Sequence, residues 1–367
     1  MVFLINASNI KAGGGIQVAQ SICGQLGIFT KHNFIVVLSK MIDDSHINFA
    51  SNSIVFKYDI SNSFHTIIKG RDFFLDNLVI KYNVVAVLTI FGPSRWRPKV
   101  PHLCGFARAQ LVLKDSPYYK RLTLKEVFIY KLWTWLFKKS SDTFYTENEY
   151  ISRLLPELVG PKAKVFTVTN YYNQVYDHLE MCKRSVWLPV FDGVTLLSVS
   201  SHYPHKNFEI AIEVSKYLQC FYPDFNFRFV LTFNENEMHV PEDVKKHFLF
   251  IGKVDVSECP FLYEQADIMF MPTLMECFTA TYPEAMRMAV PIVTTDLEFA
   301  HGLCGDSACY YSAVDSSAAA EAIYKVATDS EFSRRLVENG KRQLAKYDDY
   351  EQRAKKLVKI LEDISKY

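Results

Sequence analysis

With 367 residues, 49% of them apolar and 22% charged, the chain exceeds the size at which one core stops growing and is too apolar to be disordered, so two globular domains are expected. The formal net charge of +1 hides an asymmetry: residues 1–187 carry 23 basic against 13 acidic side chains, and the remainder 18 against 27. A basic front half calls for an anionic contact, either a phosphorylated acceptor or an anionic lipid surface, unless the two halves pair their charges with each other.

Val2 to Asn6 reads as a first strand; the residues Val2 to Ile5 have no basic region or cleavage site and are too short for a signal peptide. The loop Ala7 to Gly15 follows, then a helix from Ile16 to about Ile28. The triplet Gly13, Gly14, Gly15 lets backbone approach a ligand closely, although an ordinary tight turn would use it equally well. Phe34–Leu38, Ile54–Tyr58 and Val84–Leu88 are further strands, and their alternation with helical segments predicts a parallel, doubly wound α/β sheet. Arg95-Trp96-Arg97 follows in a loop leading into the strand Pro101 to Ala107. The two arginines have the chemistry to grip a phosphate and Trp96 to stack on a sugar; local packing of the Trp is the plain alternative. Tyr118 to Lys139 mixes aromatics with Lys120, Arg121, Lys125, Lys131, Lys138 and Lys139. This suits a helix on an anionic membrane surface, with Trp133, Trp135 and Phe137 at the interface level, and equally a helix covering the sheet.

Strands Thr143–Thr146 and Lys164–Thr169 complete a first domain, and the passage to the second falls around Tyr171 to Pro189. Thr195–Ser200 opens the second domain and runs into Ser201-His202-Tyr203-Pro204-His205-Lys206-Asn207 and a helix Phe208–Leu218. A Lys at such a strand-to-helix junction is well placed to neutralise a diphosphate. Phe227–Thr232 and Phe248–Ile251 are strands, with Gly252 at the exit of the second. Ile268–Met271 is an apolar run ended by Pro272, as for a strand buried on both faces. A loop carries Glu276; Pro283 fits a first helical turn, Glu284 lies beside it, and Pro291–Thr294 starts the next strand. Glu276 and Glu284 therefore sit at the carboxyl edge of a parallel sheet, where such sheets bind ligands; free amides suit a phosphate there, and a carboxylate suits a vicinal diol. Glu284 as a mere complement to the helix dipole is the bland reading. Ser330 to Lys366 is helical and charged, broken at Tyr347 to Tyr350.

The stretch Pro272, Glu276, Glu284-Ala285-Met286, Pro291-Ile292-Val293 resembles the signature of retaining GT-B glycosyltransferases of the family-4 type. The resemblance implies two Rossmann-like doubly wound domains facing a central cleft: residues 1–180 for the acceptor, 181–349 for the nucleotide sugar, and a last helix, about 350–367, crossing back to the first. It implies that Glu276 contacts the transferred sugar, Glu284 holds the ribose and Lys206 stabilises the diphosphate leaving group, as a hexosyltransferase does. Cys277 and Thr279 stand around Phe278 where the family commonly has glycines. Ser201 stands where it often has an Arg, leaving His202 or His205 to replace that charge. Gly252 falls where the nucleobase commonly lies, and Gly13 to Gly15 match the loop facing acceptor and donor phosphates. The family's sugar-contacting His has His102 as its nearest candidate, while alignment by strand ends points to Phe106 or Arg108.

No Asp-x-Asp triplet occurs, which argues against chelation of a diphosphate through a divalent ion, and no cofactor or metal is expected. Eight cysteines without a Cys-x-x-Cys pair read as reduced thiols in the cytoplasm. No apolar run approaches the ~18 residues of a membrane span, so any contact with the inner face of the cytoplasmic membrane is peripheral. The function that follows is sugar transfer from a UDP- or GDP-linked donor to a saccharide acceptor, by family habit a lipid-linked intermediate of bacterial surface polysaccharide (lipopolysaccharide O-antigen) synthesis. Nucleic acid is not a partner. Rivals are a nucleotide-sugar epimerase of the same fold, a nicotinamide-dependent oxidoreductase, against which the missing G-x-G-x-x-G counts, and a non-catalytic sugar-binding module.

Overall fold

The structure is a computed structural model describing residues 1–45 and 47–366. Two units separate by internal packing: Met1–Lys114 with Leu122–Asn170 and the chain from Asp348 onward, and Tyr171–Tyr347 with the short stretch Asp115–Arg121.

In the first unit, apolar runs become strands, the central ones buried on both faces, and helices make the crossovers except from β2 to β3 and from β4 to β5, where loops do. The order is β1 (Val2–Ala7), α1 (Gly14–Gly24), β2 (Asn33–Leu38), β3 (Ser53–Lys57), α2 (Phe64–Lys69), α3 (Phe73–Lys81), β4 (Ala86–Thr89), β5 (His102–Gly105), α4 (Leu124–Ser140), β6 (Thr143–Thr146), α5 (Glu149–Val159) and β7 (Lys164–Thr167). The strands form one parallel sheet, β3-β2-β1-β4-β5-β6-β7, whose winding reverses between β1 and β4. Helix α1 begins two residues before the expected Ile16, because Gly13 takes φ 70° at its N-cap, and ends at Gly24; Leu26–Ile28 continues only as a 3-10 turn. Gly105 admits no side chain: a Cβ would lie 1.9 Å from the Ile90 carbonyl oxygen.

Alternation along the strands sorts the two faces. Leu103 joins the core that α1 fills, so Cys104 faces the other side, and Phe144 pairs in register with Cys104. Phe144 meets Phe137 of α4, and Leu75 and Leu78 of α3 pack with Leu4 and Val87 on that same side. Helices α3 and α4 therefore share one face of the sheet.

The expected single segment 118–139 is in fact two pieces. Tyr119–Arg121 is a 3-10 turn belonging to the second unit, and Thr123 starts α4 with a capping box to Glu126. Phe137 is fully buried and Trp133 is half-buried under Arg108, so neither stands at an interface level, whereas Trp135 is exposed. Trp96 is core as well: it is fully buried and donates its indole N–H to Asp76 at 3.0 Å, which rules out stacking on a sugar.

The second unit repeats the plan with β8 (Val194–Ser198), α6 (Ile210–Phe221), β9 (Phe227–Leu231), β10 (Phe248–Phe250), α7 (Cys259–Tyr263), β11 (Ile268–Met271), α8 (Thr281–Arg287), β12 (Ile292–Thr295), α9 (Glu298–Cys304), β13 (Ala308–Tyr311), α10 (Ser316–Thr328) and α11 (Ser330–Leu344). Its sheet is parallel, β10-β9-β8-β11-β12-β13, and reverses between β8 and β11. Strand β13 had no signal in the sequence, being four residues at an edge. The chain then returns: α12 (Tyr350–Ile364) buries Leu357, Val358 and Leu361 in the first unit's core beside α1.

The two passages between units are fastened together inside the first. The Thr169 amide and hydroxyl both donate to the Asp348 carboxylate at 3.0 Å, the Asp348 amide donates to the Thr169 hydroxyl at 2.6 Å, and Arg353 bonds Asn170 and Ser21. Glu147, just after β6, is buried beside them with one carboxylate oxygen lacking a hydrogen-bond partner among the described residues. Burial pushes its pKa up to about 7 against the opposing pull of Arg353. Because this folded pKa lies above the unfolded value, the associated stability is present below pH ~4.5 and is lost as pH rises through 7. The substitution Glu147→Gln is expected to raise stability by up to about 3 kcal/mol at pH 8 and to leave it nearly unchanged at pH 4.5, as thermal melts at the two pH values will report.

Candidate functional site

The second unit's switch point, between β8 and β11, is where two loops leave the carboxyl edge side by side. From β8 the chain runs to a 3-10 turn, Pro204–Lys206, closed by Asn207 at φ 54°, before α6. From β11 it runs through Pro272 to α8. Lys206 and Glu276 meet there as a buried ion pair, Nζ to Oε1 2.5 Å, each side chain 10% exposed. The Thr273 hydroxyl donates to the same Glu276 oxygen at 2.9 Å.

The loop holding Glu276 is fastened at several points. The Leu274 amide donates to the His205 carbonyl at 2.8 Å, the Ser116 hydroxyl donates to the Leu274 carbonyl at 2.7 Å, and the Thr295 hydroxyl donates to the Thr273 carbonyl at 2.7 Å. His205 is half-buried between the rings of Tyr118 and Tyr203. Burial lowers its pKa, Glu276 pulls it back and Lys206 pushes it further down. The stretch Asp115–Arg121 thus supplies two supports, Ser116 and Tyr118, to this corner.

Eight residues on, Glu284 is buried in the first turn of α8. The Tyr263 hydroxyl donates to its Oε2 at 3.3 Å, and Tyr176 stands beside it, its ring 6.1 Å from that of Tyr263. Burial raises the Glu284 pKa to about 7, partly offset by the hydroxyls of Tyr176 and Tyr263. A carboxylate so poised is an acceptor looking for donors, as the two hydroxyls of a vicinal diol would be.

The remaining candidates of this unit are placed as follows. Cys277 and Thr279 are buried in the loop, Thr279 hydrogen-bonded to Thr281 at 2.8 Å, and Phe278 meets the Tyr347 ring edge-on. Ser201 is exposed, and its neighbour His202 is held by Glu209 at 2.9 Å. Gly252 takes φ 71° at the exit of β10, close to Asn234 and two strands away from β8. Sequence reading missed Thr273, Tyr176, Tyr263 and Ser116 as site residues.

In the first unit, Gly13 to Gly15 do open α1 at the carboxyl edge after β1, and a Cβ on Gly13 or Gly14 would meet nothing within 4 Å. Arg95 and Arg97 do not join them. They precede β5, and in a parallel sheet that is the opposite, amino edge, where Arg97 pairs with Asp142 at 3.3 Å. His102 is corrected for the same reason and one more. It is the first residue of β5, buried, with Nδ1 donating to the Ser140 carbonyl at 2.9 Å and Nε2 against the Thr89 hydroxyl at 2.8 Å. Burial lowers its pKa to about 4, so the ring is neutral and both nitrogens are engaged within the sheet. Phe106 is core and Arg108 lies over Trp133. No cluster of three metal-binding side chains occurs among the described residues.

Residues 191–343 match the family described as glycosyl transferases group 1. No curated protein sequence matches the chain. Among solved structures, sucrose-phosphate synthase from Thermosynechococcus elongatus superposes with a TM-score of 0.71 at 13% identity, over 99% of this chain and 98% of that one. A glycosyltransferase from Rickettsia africae gives 0.69 at 15% identity, over 99% and 98%. HepE from Anabaena, in complex with UDP and glucose, gives 0.65 at 13% identity, over 98% and 99%. Residues 191–343 thus resemble the group 1 glycosyltransferases, and the chain as a whole has the GT-B fold.

Proposed function

We propose that the chain is a glycosyltransferase that takes its sugar from a nucleoside-diphosphate donor held by the second unit and transfers it to a hydroxyl of a saccharide acceptor with retention. The observation that carries the reading is the buried Lys206–Glu276 pair at the switch point, inside the matched region. Without donor, each charge satisfies the other. A bound diphosphate takes over the Lys206 ammonium and frees the Glu276 carboxylate to accept hydrogen bonds from sugar hydroxyls, so one buried pair becomes two contacts with the substrate. As the glycosidic bond stretches, charge grows on the diphosphate and Lys206 stabilises it more in the transition state than in the ground state. Same-face attack lets a phosphate oxygen take the acceptor's proton, so neither Glu serves as a nucleophile and no metal is called for. Glu284 accepts from the ribose. UDP is the first nucleotide to test, since the Anabaena relative binds it.

The acceptor reading, a lipid-linked saccharide, has its support in α4. Leu124, Phe128, Leu132 and Trp135, spaced along one face of that helix, are 90%, 72%, 43% and 39% exposed. Lys125, Lys131 and Lys138 are exposed on the same helix, and its acid Glu126 is engaged by Thr123. Such a helix lies on an anionic bilayer surface. No helix is long and apolar enough to cross a membrane among the described residues.

A melting screen against UDP-, GDP- and other nucleotide sugars tests the donor reading: a true donor at 100 times its Kd adds about 2.7 kcal/mol, and no shift with any member would sink it. Glu284→Gln should weaken UDP binding about tenfold at pH 8 by removing a charged acceptor. Wild-type affinity should also fall as pH drops through 7 and Glu284 takes up its proton, and that limb should flatten in the variant; calorimetric titrations across pH 6–8 read both effects. Lys206→Met should destabilise the fold by about 3–5 kcal/mol by leaving Glu276 uncompensated. The double change Lys206→Met with Glu276→Gln should recover most of that stability in melts while turnover stays down by about a hundredfold or more.

A further inference from the structure

Helix α4 is not alone on its side of the molecule. Of the 18 large apolar side chains that stand exposed among the described residues, four lie on α4 and four more on the short helices α2 and α3, so nearly half are concentrated on three helices. On the latter pair Phe64 is 78%, Ile68 39%, Phe73 84% and Ile80 73% exposed. Nothing in the fold explains their size: α2 and α3 already bury Thr66, Leu75 and Leu78 inward. Exposed patches of this kind mark surfaces that meet an apolar partner.

The two patches are on one face. Helices α3 and α4 cover the same side of the parallel sheet, and the loop between β4 and β5 spans from one to the other. The Arg97 amide donates to the Gly70 carbonyl at the end of α2 at 2.8 Å, while Gly92 in the same loop is packed against Phe137 of α4. Charge points to the kind of partner. Lys69 and Lys81 are exposed around the second patch, while Arg97 beside it is paired with the exposed Asp142. Its acids are turned inward: Asp72 caps α3 and accepts from the Tyr58 hydroxyl at 2.9 Å, and Asp76 accepts from Trp96 and Arg71. What is left outward is apolar and basic, complementary to anionic headgroups above acyl chains and not to an acidic protein groove alone.

We infer that α2 and α3 form a second membrane anchor, seating the first unit on an anionic bilayer together with α4 as a two-point contact; the inference rests on the reading of α4 as a lipid-facing helix. Two weak anchors on one rigid unit multiply their affinities, so each should be necessary for firm attachment.

The test uses the full chain with vesicles of phosphatidylglycerol and phosphatidylethanolamine, and vesicles of phosphatidylcholine as control. Hydrogen exchange on the wild-type protein should show protection of residues 64–81 and 124–135 on the anionic vesicles only. Phe73→Ser with Ile80→Ser, and separately Phe128→Ser with Trp135→Ser, should each lower vesicle affinity about tenfold or more while the melting midpoint is kept. Protection confined to 124–135, with the Phe73/Ile80 variant binding as wild type, overturns the second anchor and leaves the α4 reading standing. Absence of wild-type binding to anionic vesicles overturns both. A concentration-dependent dimer abolished by the Phe73/Ile80 change, with vesicle binding intact, assigns the patch to a second copy of the chain and overturns the inference.

Discussion

The arrangement of the second unit depends on one constraint: a lysine and a glutamate from different loops are held 2.5 Å apart where water barely reaches them. Isolated burial of either charge would cost several kcal/mol, so each is tolerable only while the other, or a substitute, is present. The two loops must therefore keep register, and the bonds around them are of that kind. Leu274 hangs from the His205 carbonyl, Thr295 holds Thr273, Thr273 in turn orients Glu276, and Ser116 closes the corner from outside. Removing the pair's lysine would leave a fastened loop carrying an unpaired charge, with little freedom to swing it into solvent.

The fold supplies the place for that pair by a property of parallel sheets alone. All strands run one way, so loops leaving strands collect at one edge and loops entering them at the other. Winding that reverses between β8 and β11 opens a gap at the leaving edge, and Lys206 and Glu276 come from the two strands flanking it. The same rule removes residues from consideration. Arg97 and His102 precede or begin β5, so they belong to the entering edge whatever their chemistry.

That rule explains what was legible in the sequence and what was not. Strand β11 could be read to the residue, because Ile268–Met271 is uniformly apolar and Pro272 cannot continue a ladder. Glu276, Glu284 and Lys206 could be found because each lies within a few residues of such a strong strand or helix signal. Thr273 could not, since a threonine after a strand is ordinary until its hydroxyl is seen on Glu276. Tyr176 could not either: it reaches Glu284 from more than a hundred residues upstream, in a region with no periodicity. Trp96 misled because aromatic flanked by arginines is equally the pattern of a buried indole with solvated neighbours, and Asp76, its partner, is twenty residues away. Phe137 misled for the related reason that α4 is apolar on more than one side; only packing against Phe106 and Phe144 tells its inner face from its outer one.

Three buried glutamates separate themselves by what stands next to them. Glu276 has a full countercharge within contact, while Glu147 has Arg353 nearby without a contact and Glu284 has only phenols. The last two are pushed toward neutrality by burial, which means that the folded chain keeps acceptors whose ionised form it does not fully satisfy. Such groups persist only when something outside the protein gains from them, or when the surrounding structure over-determines their position. For Glu147 the second explanation suffices, because the knot of Thr169, Asp348, Asn170 and Arg353 holds both passages of the chain beside it. For Glu284 it does not suffice. Helix α8 could bury an apolar residue at that position with less cost, and the Tyr263 hydroxyl that now reaches the carboxylate at 3.3 Å also lies 3.4 Å from the Thr281 carbonyl. The carboxylate is therefore the dispensable member as far as folding is concerned, and its place at the leaving edge of the sheet fits the proposed contact with ribose hydroxyls.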